Sequence, residues 1–325
     1  MLPAVVTYTY TTILRCCPQK TRKVGKRMME SIKAYVDLTR LHFFFAWPTL
    51  FCSGLFLSFG AYGGFSWMAV LRAAAIGFLG FEAGLVLNGY VDQELDRRDV
   101  ESDKLTKYWR LFKKRPIPAG LISSRSALAL FLLLVASTSV LILTLPYPHS
   151  VYVLAIMVYC YCAEYFYQLK KRDQAFPVAQ LLGRTDFSLF PVAGYLSNGS
   201  PDMTALLYFV FFYPFAEAHL GVNDMIDIAN DQARGMKTVS VLYGMRGTAY
   251  WVLFFTVVHY VSATFFAKVL APVSMIGIAV GSLLLAIANH VILKGKSAQA
   301  ALKVLPLFHI TMLVYSASII LGSVI

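Results

Sequence analysis

An all-α bundle that crosses a membrane many times is the fold class this sequence predicts. Three observations predict it: the composition, the length of the apolar stretches, and the way Lys and Arg are shared among the connections. Of 325 residues, 58% are hydrophobic and 14% charged, against roughly 25% charged in a soluble domain. The mean hydropathy is +0.62. So little polar surface cannot face water on all sides, and part of the solvent must be lipid. The same figures exclude a disordered chain, a collagen-like fibre and a disulfide scaffold. The five cysteines are scattered: Cys16 and Cys17 are adjacent, while Cys52, Cys160 and Cys162 lie in apolar stretches. They show no metal-ligand spacing and read as buried thiols.

A membrane helix needs about 20 mostly apolar residues. Nine stretches qualify: 43–60, 67–91, 127–146, 149–167, 176–196, 203–223, 248–268, 271–293 and 303–324. None alternates apolar and polar residues, which argues against a lipid-facing barrel. The connections alternate instead. Before the first stretch lies an arm with Arg15, Lys20, Arg22, Lys23, Lys26 and Arg27. The first-to-second connection, Ala61–Ser66, has no Lys or Arg, whereas the second-to-third carries Arg97, Arg98, Lys104, Lys107, Arg110, Lys113, Lys114 and Arg115. Leu145–Ser150 is bare, and the next connection holds Lys170, Lys171 and Arg172. Leu196–Met203 is bare again, followed by Arg234, Lys237 and Arg246, and the last basic pair is Lys294 and Lys296. Lys268 and Arg72 are the exceptions. The positive-inside rule then places the N-terminus in the cytoplasm and, with nine spans, the C-terminus on the opposite side. The net charge of +12 follows mostly from this topology. Nucleic acid is excluded as a partner because the basic residues are split among short loops. The domain organisation expected is a basic arm over 1–34, able to lie along anionic headgroups, and one transmembrane domain over 35–325.

The few acidic residues are gathered. Asn88-Gly-Tyr-Val-Asp92-Gln-Glu94-Leu-Asp96-Arg-Arg-Asp99 closes the second stretch, and Asn223-Asp224-Met-Ile-Asp227-Ile-Ala-Asn230-Asp231 closes the sixth. Both read Asn-x-x-x-Asp-x-x-x-Asp. Spacing of four keeps side chains on one helix face, so Asn88, Asp92 and Asp96 make one acidic stripe and Asn223, Asp227 and Asp231 another. Like charges at that spacing repel, and acidic groups are disfavoured at helix C-terminal ends. A bound cation resolves both conflicts. Oxygen ligands without Cys or His suit Mg²⁺ or Ca²⁺, and Mg²⁺ completes its shell with water and substrate phosphate oxygens. Two such stripes beside basic loops read as a diphosphate trap. A solvated helix end explains one cluster, but a repeat of the pattern on the same side does not.

Three further segments flank the stripes: Arg234-Gly235-Met-Lys237-Thr238, Lys113-Lys114-Arg115-Pro116-Ile-Pro118-Ala-Gly120, and Tyr167-Gln-Leu-Lys170-Lys171. With the paired motifs and nine spans, the chain from about Tyr35 onward resembles the UbiA superfamily of intramembrane prenyltransferases. The resemblance implies nine transmembrane helices around a central cavity, with the motifs under a cytoplasmic cap. It implies an isoprenyl diphosphate as substrate, Mg²⁺ as cofactor, and transfer of the prenyl group to a small aromatic or lipid-like acceptor. It implies that Asn88, Asp92, Asp96, Asn223, Asp227 and Asp231 hold metal, that the four aspartates are catalytic, and that Arg115, Lys171, Lys237 and Arg40 contact diphosphate. Tyr167 matches a tyrosine near the reacting carbon. The sequence departs from the family in a long segment from Arg97 to Lys114, where a cap is expected. Lys104 and Arg110 within it are added as diphosphate candidates. Gly89 stands where an acidic residue often follows the first Asn.

The expected chemistry is ionisation of an allylic diphosphate, with metal and basic groups stabilising the leaving group and aromatic faces stabilising the cation. Inside the apolar stretches lie Glu82, Glu164, Arg184, Asp186, Glu217 and His219. Charge there is functional by default. A Glu82–Arg184 pair is expected, and His219 reads either as a proton acceptor or as a satisfied core histidine. Two other functions compete with prenyl transfer. A UbiA-type terpene cyclase shares the metal site and needs only an aromatic-lined cavity. A cation transporter predicts mid-membrane charge in several helices and an internal repeat, and no convincing repeat is present.

Overall fold

The computed structural model describes residues 18–100 and 104–324, with side chains from Met28 onward. Arg15, Cys16 and Cys17 of the arm, and Glu101–Asp103 of the long segment, lie outside the described residues. Every regular element described is helical. Helix α1 (Pro18–Leu38) leads through a 3-10 turn at Leu41–Phe43 into α2 (Ala46–Tyr62), and α3 (Trp67–Val91) returns. A 3-10 turn at Asp96–Arg98 and the short α4 (Lys104–Trp109) precede α5 (Ser124–Leu143) and α6 (His149–Lys170). Then come α7 (Val178–Gly183), α8 (Thr185–Leu196), α9 (Met203–Arg234), α10 (Val239–Phe266), α11 (Pro272–Gly295) and α12 (Ala298–Gly322). Side-chain caps begin three of them: Ser123, Asp202 and Ser297 accept from the backbone N–H three residues on, which satisfies donors the helix leaves free.

Eight helices among the described residues are long and apolar enough to cross a membrane. The chain is an integral, multi-pass membrane protein. The fifth expected stretch, residues 176–196, forms two short helices, α7 and α8, that meet at Arg184. Backbone bonds bridge the junction: Arg184 N–H donates to the Gln180 carbonyl at 2.9 Å and Ser188 N–H to the Arg184 carbonyl at 3.3 Å. The Arg184 guanidinium turns toward Glu164 of α6, 3.6 Å away. The expected boundary at residue 34 falls inside α1.

Sequential helices pack on one another, and α12 packs on α2, which closes a ring. Helix α8 lies against α2, α6 and α9. Its contact with α2 is backbone to backbone. A Cβ on Gly54 would stand 1.9 Å from the Pro191 carbonyl oxygen, and one on Gly194 would stand 1.9 Å from that of Phe51. Small residues let membrane helices approach this closely. Gly194→Val is therefore expected to lower stability by about 3 kcal/mol through overpacking. An unchanged thermal midpoint in detergent would show that the two helices are not pressed together. At the end of the bundle away from the acidic motifs, Asp202 accepts from the hydroxyls of Tyr62 and Tyr195, both at 2.7 Å, and from Ala205 N–H at 2.9 Å. Burial pushes its carboxyl up, but these donors outweigh burial and hold it below the usual range. That carboxylate ties the ends of α2 and α8 to the start of α9, so the opposite end of α9 is presented by a braced frame.

Candidate active site

Both acidic motifs reach one cavity of about 260 Å³. The second motif arrives as expected. Helix α9 runs unbroken to Arg234, so Asn223, Asp227 and Asp231 keep one face and line the cavity, with Asp224 beside them. Gly235 ends the helix with φ 73°, and Met236 N–H returns to the Asp231 carbonyl at 2.8 Å. This left-handed stop turns the chain back, so that the Thr238 hydroxyl donates to Asp231 at 2.9 Å and Val239 N–H to Asp224 at 3.0 Å.

The first motif departs from a single helical stripe. Helix α3 ends at Val91, and Asp92 caps it. Leu95 and Asp96 N–H groups both turn back to the Asp92 carbonyl at 2.9 Å. Asn88 and Asp92 line the cavity, while Asp96 is buried behind its wall. Asn88 Nδ2 donates to Glu164 at 2.9 Å. Asp92 sits between Lys171 at 2.8 Å and Arg172 at 3.3 Å.

Arg234 joins the two motifs. Its guanidinium meets Asp227 at 3.2 Å and Asp231 at 3.7 Å on its own helix, and Asp96 at 3.5 Å across the gap. Its Nε donates to Asp99 at 2.6 Å. Arg115 pairs with Asp96 and lies 3.4 Å from Asp99. Burial pushes the Asp99 carboxyl up, and the charges of Arg115 and Arg234 pull against it. Among the described residues no three His, Cys, Asp or Glu side chains converge as a ready metal cluster. The donor set still fits a hard cation. The motif atoms facing the cavity are oxygens and amides, and Asn223 Oδ1 is buried without a hydrogen-bond partner.

Tyr167 lines the cavity beside this cluster. Lys171 Nζ lies 4.8 Å above its ring and the Arg184 guanidinium 5.2 Å from it. The i,i+4 spacing of Tyr167 and Lys171 thus survives to the end of α6. A Cβ at Gly183 would meet Tyr167 Cβ at 2.8 Å, so the ring depends on a bare backbone there. Aromatic side chains line the cavity as well. Trp47 stacks on Phe81 at 3.7 Å and 12°, and Phe81 meets Phe190 edge-on at 5.2 Å.

The model of the UbiA prenyltransferase family matches residues 45–313. This chain belongs to the UbiA prenyltransferase family. Among solved structures, a UbiA homolog from Aeropyrum pernix K1 matches with a TM-score of 0.68 at 19% identity, over 86% of this chain and 97% of that one. A structure described for digeranylgeranylglyceryl phosphate synthase in membranes matches with a TM-score of 0.64 at 21% identity, over 91% and 99% of the two chains. A UbiA homolog from Archaeoglobus fulgidus bound to GPP and Mg²⁺ matches at 0.62 and 15% identity, over 88% and 99%. At these identities the likeness establishes the fold. No curated protein matches the chain.

In this UbiA chain, Arg40, Arg110, Arg115 and Lys171 line the cavity, and Lys237 and Lys104 do not. Lys237 is exposed. Its backbone N–H donates to the Lys171 carbonyl at 2.7 Å, which turns its side chain out and leaves the neighbouring Thr238 on the wall. Arg40 has φ 49°, and its guanidinium lies 5.4 Å from Trp109. Burial, then the charge of Arg115, draws it down to about 10, so it stays charged at neutral pH. The long segment is an ordered cap where described. Leu105, Thr106, Trp109 and Arg110 face the cavity, and Asp37 holds the loop by accepting from Phe112 N–H at 2.7 Å and Lys114 N–H at 3.0 Å.

The expected Glu82–Arg184 pair is replaced by Arg184–Glu164. Glu82 is buried off the cavity, without hydrogen-bond partners for either oxygen. Glu217 is buried off the cavity as well, whereas Asp186 and His219 line it. His219 Nε2 lies 3.0 Å from His309 Nε2, whose other ring nitrogen meets Tyr108 OH at 2.6 Å. Sequence reasoning gave no site role to Arg172, Asp99, Asp224 or His309. Asp99 and Asp224 had a signal, their places inside the two acidic clusters.

Proposed function

We propose that this chain is an intramembrane, Mg²⁺-dependent prenyltransferase that ionises an isoprenyl diphosphate and transfers the prenyl group to a small aromatic or lipid-like acceptor. One observation carries the reading. Asn88, Asp92, Asn223, Asp227 and Asp231 of the two motifs and the cations Arg115 and Lys171 line one cavity, whose wall also carries the aromatic rings of Trp47, Phe81, Tyr167 and Phe190. Asn88, Asp92, Asn223, Asp227 and Asp231 would hold the metal, with Asp96 supporting them through Arg115 and Arg234. Bound Mg²⁺ supplies a Lewis acid for the diphosphate oxygens.

The residues of the chain do the rest. Lys171 and Arg115 neutralise charge as the allylic C1–O bond breaks and its electron pair leaves with diphosphate. The Tyr167 face stands where the carbocation forms and stabilises it by cation–π attraction. The acceptor then bonds to C1 and gives up its proton to the released diphosphate. The α4 cap, seated by Asp37, excludes water that would otherwise capture the cation. The motif end is assigned to the cytoplasm from the Lys and Arg bias, with the C-terminus opposite. The domain division is a basic arm, residues 1–34, ahead of a single transmembrane unit, residues 35–325.

The test uses purified protein in nanodiscs with Mg²⁺ and geranyl, farnesyl or geranylgeranyl diphosphate, without acceptor. Metal-dependent binding with little turnover is expected, and turnover should appear with a phenolic or lipid-like acceptor. A cyclic hydrocarbon formed without acceptor, and lost on chelation, would assign a terpene cyclase instead. No binding at all would remove the diphosphate site.

A further inference from the structure

Helix α1 does not belong to the bundle in the way its neighbours do. Twenty-one residues long, it spans about 31 Å at 1.5 Å per residue. Its sequence holds six basic residues, Lys20, Arg22, Lys23, Lys26, Arg27 and Lys33, against Glu30 and Asp37. Such a helix cannot enter hydrocarbon. It nevertheless carries an apolar face that is exposed among the described residues. Met28, Ile32 and Tyr35 recur at i, i+4 and i+7, so they share one face. They are 63%, 57% and 38% exposed. Elsewhere, apolar exposure on the long helices is explained by acyl chains. On α1 it is not, because α1 lies outside every candidate span.

The C-terminal end of α1 is fixed at the level of the bundle's motif end. Ala34 and Leu38 pack with Val86 of α3 and Ile117, and Asp37 clasps the cap loop. The chain then passes directly to Phe44 and Phe45, both exposed at the head of α2. A helix anchored at that height, with an exposed apolar face and a strong positive balance, matches one surface. We propose that α1 is an interfacial helix that docks on the anionic leaflet beside the cavity. Its apolar face sits at the acyl boundary, and its cations meet acidic headgroups. The partner is a negatively charged bilayer surface. This does not depend on the reaction proposed above.

The experiment uses the full chain, with its native cysteines replaced by alanine and a bimane label on Ile32→Cys. The parent thermal midpoint serves as the check on folding. The protein is placed in nanodiscs of phosphatidylcholine alone or mixed with phosphatidylglycerol. In anionic discs, brominated lipid should quench the label and aqueous iodide should reach it at least threefold less well than in zwitterionic discs. The K20E/K23E/R27E variant should lose that difference while keeping the parent midpoint. Equal iodide access in both discs would overturn the proposal. So would lipid quenching that ignores headgroup charge and the triple variant, since a neutral interfacial contact would then explain the helix.

Discussion

Asp92→Ala and Asp227→Ala, made separately, are each expected to lower Mg²⁺-dependent diphosphate release by about 10²–10³-fold, the loss typical when one preorganised charge-stabilising group is removed from an active site. The two residues come from different motifs and face the same cavity, so neither substitutes for the other. Their failures should differ in kind. Asp92 is the partner of buried Lys171 and of Arg172. Its removal leaves a buried ammonium without its carboxylate, which also lowers the thermal midpoint. Asp227 shares Arg234 with Asp96, Asp99 and Asp231, so its loss leaves Arg234 still compensated and the fold nearly as stable. Turnover and thermal midpoint measured on both variants separate the cases. Full turnover by either variant would remove that aspartate from the site.

The sequence revealed the elements that depend on local periodicity. A spacing of four held on α9 because nothing interrupts that helix before Gly235, and the Tyr167–Lys171 spacing held for the same reason on α6. The stripe on α3 was legible only to Asp92. Beyond it the backbone turns, and a spacing count cannot register a helix end set by its surroundings. In the fifth stretch, hydropathy weighs Arg184 as one residue among many and does not register its pairing with Glu164 on another helix. Lys237 and Thr238 show the same limit at close range. Both stood in a promising tail, and only the return of the chain to Lys171 and Asp231 decides which one faces the cavity. Arg234 was visible as a residue but not as a bridge, because Asp99 lies 135 positions away in the chain.

That bridge gives the second large effect. Replacing Arg234 with methionine removes the cation shared by Asp96, Asp99, Asp227 and Asp231 and leaves buried carboxylates facing one another. Without divalent metal, the variant is expected to lose about 3–5 kcal/mol, the loss seen when one partner of a buried ion pair is deleted. Mg²⁺ should restore part of it. If the motif carboxylates bind Mg²⁺, the ion takes over the neutralising role that Arg234 held, and a ligand that binds only the folded state raises its stability. The shift in thermal midpoint between chelator and Mg²⁺ should therefore be larger in R234M than in the parent, and activity should stay low because the two motifs are no longer held in register. An equal Mg²⁺ shift in both proteins would mean that the metal and Arg234 do not share carboxylates. The cation site would then have to lie elsewhere in the cavity, away from Asp227 and Asp231.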